Sequence, residues 1–198
     1  MMRHAIRGLV LLALLTLVVD STVRAQNTPD SVEVRVRKDG STKTYSGQLK
    51  VTAAGYSVFT GEKFDKAGEV FSPDDILKVN IGDLVGVDRN TILSAKTKEE
   101  KKTAKDYADA GLIYQDLLKK GATAPDRSKR YLAFKINHIK TRLLDEQEGE
   151  EWKKNADVAI SDWKGFLNDY KTAFGWEMWP AVRACTRLQV ERGKYDEA

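Results

Sequence analysis

Hydrophobic and polar positions change rhythm twice along the chain. Leu9 to Val19 is an almost unbroken apolar run. From about residue 27 to 90, apolar and polar residues alternate in short segments, and from about Thr91 onward apolar residues recur every three or four positions. Alternation sends successive side chains to opposite faces of a strand, whereas a three-or-four recurrence builds one stripe along a helix. The chain is therefore predicted to be a short apolar leader, a β region and a helical region.

In the β region, Val32, Val34 and Val36 alternate with Glu33, Arg35 and Arg37, as in a strand with one buried face. Asp39-Gly40 suits a tight hairpin turn, because both residues tolerate positive φ. A second strand is predicted over 42–51, with Gly47 as a bulge or bend. Ala54-Gly55 turns into a third strand at 56–60, and a loop over 61–68 leads to Glu69-Val70-Phe71. Ser72-Pro73-Asp74-Asp75 reads as an N-cap with proline at the first helical position, which predicts a single helical turn. Segments 76–81 and 84–87 are the last strand candidates. Five or six short strands in about 60 residues predict a small antiparallel barrel or roll. The stretch KDGSTKTYSGQLKVTAAGYSVFT, followed by FSPDDILKVNIGD, resembles the small SH3-like or Sm-like barrels of exported bacterial proteins. That resemblance implies a shape and names no ligand.

Four helices are predicted downstream. Thr97 and Glu100 have the spacing of a capping box, followed by Ala104, Ala108, Gly111, Leu112, Gln115 and Leu118 and a stop at Gly121. A second helix starts near Pro125-Asp126 with Leu132, Ile136, Ile139 and Leu143 on one face. The third carries the cleanest stripe, from Trp152 through Ala156, Ala159, Trp163 and Phe166 to Tyr170. The fourth begins around Trp179-Pro180 and shows Val182, Cys185 and Leu188. Short connections predict antiparallel neighbours.

The final residues, WPAVRACTRLQVERGKYDEA, resemble the tetratricopeptide (TPR) repeat. Val182 and Cys185 take apolar places of its first helix, and Gly193, Tyr195 and Ala198 match the G-x-Y-x-x-A element that joins its two helices. Thr186 and Gln189 depart from the pattern. Ala110/Tyr114/Leu117 and Ala159/Trp163/Phe166 resemble second-helix fragments. The resemblance implies a protein-binding scaffold, and it would place the partner helix beyond Ala198, so the chain reads as the front of something longer. A plain helical bundle is the alternative. The expected fold class is α+β: a small antiparallel β-barrel or roll followed by an antiparallel TPR-like helical array. Residues 1–25 would be the leader, 26–90 the β domain and 91–198 an incomplete helical domain.

Composition narrows the chemistry. The 198 residues carry a formal charge of +4, two histidines and one cysteine. Arg3 and Arg7 precede the apolar run, which at about 11 residues falls short of the ~20 that span a bilayer. Val23-Arg24-Ala25 offers compact residues for cleavage. The leader reads as a Sec-type signal peptide cut after Ala25, an uncleaved anchor being the alternative, and the mature protein would be periplasmic or extracellular. Removing residues 1–25, which hold Arg3, Arg7, Arg24 and Asp20, lowers the net charge to +2. That balance supplies no electrostatic case for nucleic acid.

Cys185 alone can form neither an internal disulfide nor a Cys-based zinc site, and its place in an apolar stripe points to burial. His138, the one histidine after the leader, is either a packing residue or a general base for which no motif supplies a nucleophile. Asp74 and Asp75 are adjacent and point apart, which suits a turn. Lys96, Lys98, Lys101, Lys102 and Lys105 interleave with Glu99, Glu100 and Asp106, as on a solvated face. No catalytic, cofactor-binding or metal-ligating residue is expected. Trp176 and Trp179 flank Glu177-Met178 at a corner before Pro180. That corner is either a staple or an exposed aromatic platform, so Trp176, Met178 and Trp179 are the partner-binding candidates. The expected function is a non-enzymatic, exported interaction or scaffold module of the cell envelope. Its partner would be another protein or the chain's own C-terminal continuation. The alternative is a substrate-positioning front part of a larger exported enzyme, with catalytic residues beyond 198.

Overall fold

The computed structural model describes residues 28–36, 40–82, 84–172 and 175–194. The leader, Asp39, Tyr195 and Ala198 lie outside the described residues. Strands β1 (Asp30–Arg35), β2 (Thr42–Thr52), β3 (Gly55–Thr60), β4 (Lys66–Phe71) and β5 (Ile76–Asn80) form an antiparallel sheet in the order β4-β3-β2-β1-β5. Helices α1 (Arg89–Lys101), α2 (Ala104–Lys120), α3 (Asp126–Leu144), α4 (Gly149–Asp169) and α5 (Met178–Glu191) follow. The α+β class is the one the sequence patterns predict.

The alternation in β1 buries Val32 and Val34 on one face. At the β1–β2 hairpin Gly40 takes a φ of 71°, and its N–H donates to the Val36 carbonyl at 2.8 Å. β2 pairs with β1 up to Gly47 and with β3 from Gln48 onward. The change of partner falls at Gly47, where a Cβ would collide with the Phe59 carbonyl and the Val58 side chain. Gly47 is therefore the bend that lets one strand serve two halves of the sheet. The sheet stays open, with β4 and β5 as its edges, so the expected barrel does not close. The predicted single helical turn is a 3-10 turn at Pro73–Asp75 between those edges. The segment 84–87, expected as a strand, is instead a turn. Val87 N–H donates to the Leu84 carbonyl, Gly86 sits at φ 74°, and Leu84 packs into the helical core.

The helices begin earlier than the Thr97/Glu100 spacing predicts. Asp88 caps α1 by accepting the Thr91 N–H at 2.7 Å, and Thr97 lies within the helix with its hydroxyl on the Leu93 carbonyl. Lys102, at φ 57°, ends α1, and Thr103 starts α2 by accepting the Asp106 N–H. One predicted helix is thus two. Between α1 and α3, helix α2 buries Ala110, Gly111, Tyr114 and Leu117, leaving Leu112 64% exposed and correcting the expected stripe. α4 buries the predicted face. α5 buries Met178, Ala181, Cys185 and Leu188, whereas Val182, expected inside, faces outward. The apolar face at Cys185 and Leu188 is covered by α4 and α3. Gly193, at φ 73°, donates its N–H to the Val190 carbonyl and ends α5.

Each helix packs on its predecessor, and α5 also returns to α3. α3 joins two helical cores, sending Leu132 and Ile139 toward α1–α2 and Phe134 and Leu144 toward α4–α5. A third core lies on the sheet, and Trp176 packs against all three. A second tie is Asp30 on β1, whose carboxylate accepts the Gly82 N–H at 3.0 Å and two bonds from Arg127 at 2.6 and 2.7 Å. Among the described residues no helix is long and apolar enough to cross a membrane.

Candidate functional site: a groove between the sheet and the last helix

The corner between α4 and α5 is built around a buried ion pair. Glu177 Oε2 accepts from Arg130 Nε at 2.9 Å, and Gly175 supplies the space that the guanidinium occupies. Burial pushes the Glu177 carboxyl above its ordinary range, opposed by the Arg130 charge. Trp176 lies edge-on to Phe134 at 5.5 Å, and its carbonyl accepts the Tyr56 hydroxyl at 3.3 Å. Burial pushes that hydroxyl up to about 12. Of the three residues predicted as an aromatic platform, Met178 is buried and Trp176 half-buried, so both belong to the interior. Only Trp179 presents a ring to solvent, 38% exposed, with the Arg183 guanidinium 5.5 Å from its centre. Arg183 in turn pairs with Asp74 on the 3-10 turn.

Two cavities of about 160 and 390 Å³ meet at Tyr56, Pro73 and Trp179. The smaller runs along β5, where Ile76, Leu77, Lys78 and Val79 all contribute, and ends at Pro180 and Arg183. The larger opens between Val51, Leu167, Met178 and Val182, with Lys171 at its margin. Together they make a mostly apolar groove, with Lys78 lining the smaller cavity and Lys171 the larger. Among the described residues none that lines it is a carboxylate.

His138 is part-buried and stacked on Phe134 at 5.9 Å. Burial, and then the charges of Lys135, Arg142 and Arg187, push its imidazole down to about 3. It is neutral near pH 7 and a weak proton acceptor. Cys185 is buried, with its sulfur 3.6 Å from Gln189 Oε1. The lysine cluster is engaged locally: Lys98 pairs with Asp109, Lys101 with Asp106, and Lys96 donates to the Ile81 carbonyl. Among the described residues no group of three or more His, Cys, Asp and Glu is placed to hold a metal ion. A further apolar cavity of about 460 Å³ lies between residues 80–87 and α1.

Tyr56, Pro73, Lys78 and Lys171 come from separate segments, so no local motif could have grouped them. The one local signal was Trp179 and Arg183, four apart on a helix. Set against protein-family models, curated proteins and solved structures, the chain has no match.

Proposed function

We propose that this chain is an exported, non-enzymatic interaction module that holds a protein partner of the cell envelope through its helices and the adjoining sheet. The apolar groove beside Trp179 carries this reading, because an exposed aromatic ring between apolar walls and a cationic rim is what interface hot spots are made of. Three features support it. The basic-then-apolar leader suits export. The stepwise helix packing, with α5 on both α4 and α3, suits a TPR-like array. The bent β2 and the 3-10 turn leading into β5 suit an SH3-like or Sm-like roll.

A photoreactive amino acid placed at Val182, in the groove wall, tests the reading in intact cells. It is expected to give a discrete adduct with another protein, while the same group at exposed Lys119 on α2 gives none. Absence of an adduct at Val182, or equal adducts at both positions, removes the support.

A further inference from the structure

β5 is an edge strand whose backbone hydrogen-bonds β1 on one side only. Among the described residues, nothing beyond the 3-10 turn at its start pairs with its other side. Side chains alternate along a strand, so four consecutive residues, Ile76 to Val79, line one cavity when that cavity runs beside the strand's edge, here with a bulge at Leu77. Across the cavity stand Trp179, Pro180 and Arg183 of α5. The slot is thus walled by an unpaired strand edge and by an apolar helix face.

Charge adds direction. Among the described residues Lys78, which lines the smaller cavity, makes no ion pair, and the ammonium of Lys171, which lines the larger, bonds only the Asn168 amide oxygen. Arg183 is occupied by Asp74. The neighbouring buried carboxylate, Glu177, is taken by Arg130. Among the described residues, two cations without an ion pair, Lys78 (opposite Glu33 in the β1–β5 register) and Lys171, therefore flank an apolar floor of Tyr56, Pro73, Trp179 and Val182.

We propose that the groove takes an extended peptide segment that adds alongside β5, sets an apolar side chain against Trp179, and places a carboxylate toward Lys78 and another toward Lys171. This rests on the interaction-module reading and names the partner's chemistry. Backbone pairing supplies affinity, and the apolar pocket with its flanking cations supplies selection. An anionic membrane surface would satisfy the lysines but would leave the strand edge unpaired.

Selection of random dodecapeptides displayed on phage, against the full chain and against the Lys78→Glu/Lys171→Glu double variant, tests the proposal. Both lysines sit at the groove margin, and circular dichroism confirms that the variant is folded. The expected outcome is that the wild type enriches peptides with an apolar residue between two acids, and that the variant enriches Lys or Arg at the same places. Each selected peptide should bind its own protein at least about tenfold more tightly than the other. The wild-type peptide should also slow amide exchange at residues 76–80. The proposal is overturned by no enrichment, by enrichment without acids, by an unchanged preference in the variant, or by protection elsewhere. Binding to phosphatidylglycerol vesicles with no peptide enriched also overturns it, in favour of a lipid surface. A Val182 adduct in cells combined with any of these failures leaves the interaction-module reading standing and removes this inference alone.

Discussion

His138 illustrates how surroundings decide what a reactive side chain can do. It packs on Phe134 with three cations around it, so charging it is disfavoured by burial and by repulsion alike. Its pKa is depressed in the fold and ordinary in the unfolded chain, so its contribution to stability is present above about pH 6.5 and is lost as pH falls toward 3. The loss is expected to approach, and not exceed, about 1.4 kcal/mol per pH unit. His138→Gln should flatten that slope, as read from urea midpoints at pH 7 and pH 4.5. An equal slope in the variant would mean that other groups carry the acid sensitivity. Asp30 shows the opposite case, a charge satisfied on every side by Arg127 and Gly82. Asp30→Ala strands a partly exposed guanidinium and a backbone donor and is expected to cost about 2–3 kcal/mol, whereas a surface control such as Glu146→Ala should fall within about 0.5 kcal/mol.

At the scale of elements, β2 shows what one glycine can do. Its partner changes from β1 to β3 at Gly47, and the absent Cβ is what lets β3 approach there. Gly47→Ala is expected to destabilise by about 2 kcal/mol or more, because the colliding atom is a backbone carbonyl that cannot swing away. A denaturation midpoint unchanged by this substitution would show that the bend lies elsewhere. Local rules were enough to find β1, β2 and β3 by alternation, the face of α4 by its stripe, and the 3-10 turn by proline at its first position, although Ser72 makes no side-chain cap bond there. They failed where context decides. Thr97 has the spacing of a cap but sits mid-helix, because Asp88 already supplies the carboxylate. Val182 lies one residue, about a hundred degrees of helix, from the buried line of Ala181, Cys185 and Leu188. Sheet closure was equally invisible, since whether β4 meets β5 depends on long-range geometry. The groove was half legible: Trp179 stood out, but its walls come from segments that only folding brings together.

At the scale of the molecule, Trp176 is the residue on which sheet and helices converge. It touches three apolar cores, and its carbonyl receives the Tyr56 hydroxyl of β3. Trp176→Ala is expected to lower stability by about 3 kcal/mol and to separate the unfolding of the sheet from that of the helices. Near- and far-ultraviolet circular dichroism should then give two midpoints where the wild type gives one. Coincident midpoints in the variant would show that the Asp30–Arg127 tie is sufficient alone. The same junction holds β5 against α5 and so creates the groove. Binding through that groove is tested most directly by the affinity of the partner captured at Val182 for the wild type and for Trp179→Ala. The ring is 38% exposed and the rest is covered, so the substitution should lower the melting temperature by a few degrees, leave the protein folded at the assay temperature, and weaken binding about thirtyfold, the scale of a 2 kcal/mol hot spot. Equal affinity for the two proteins would contradict the groove as the binding site.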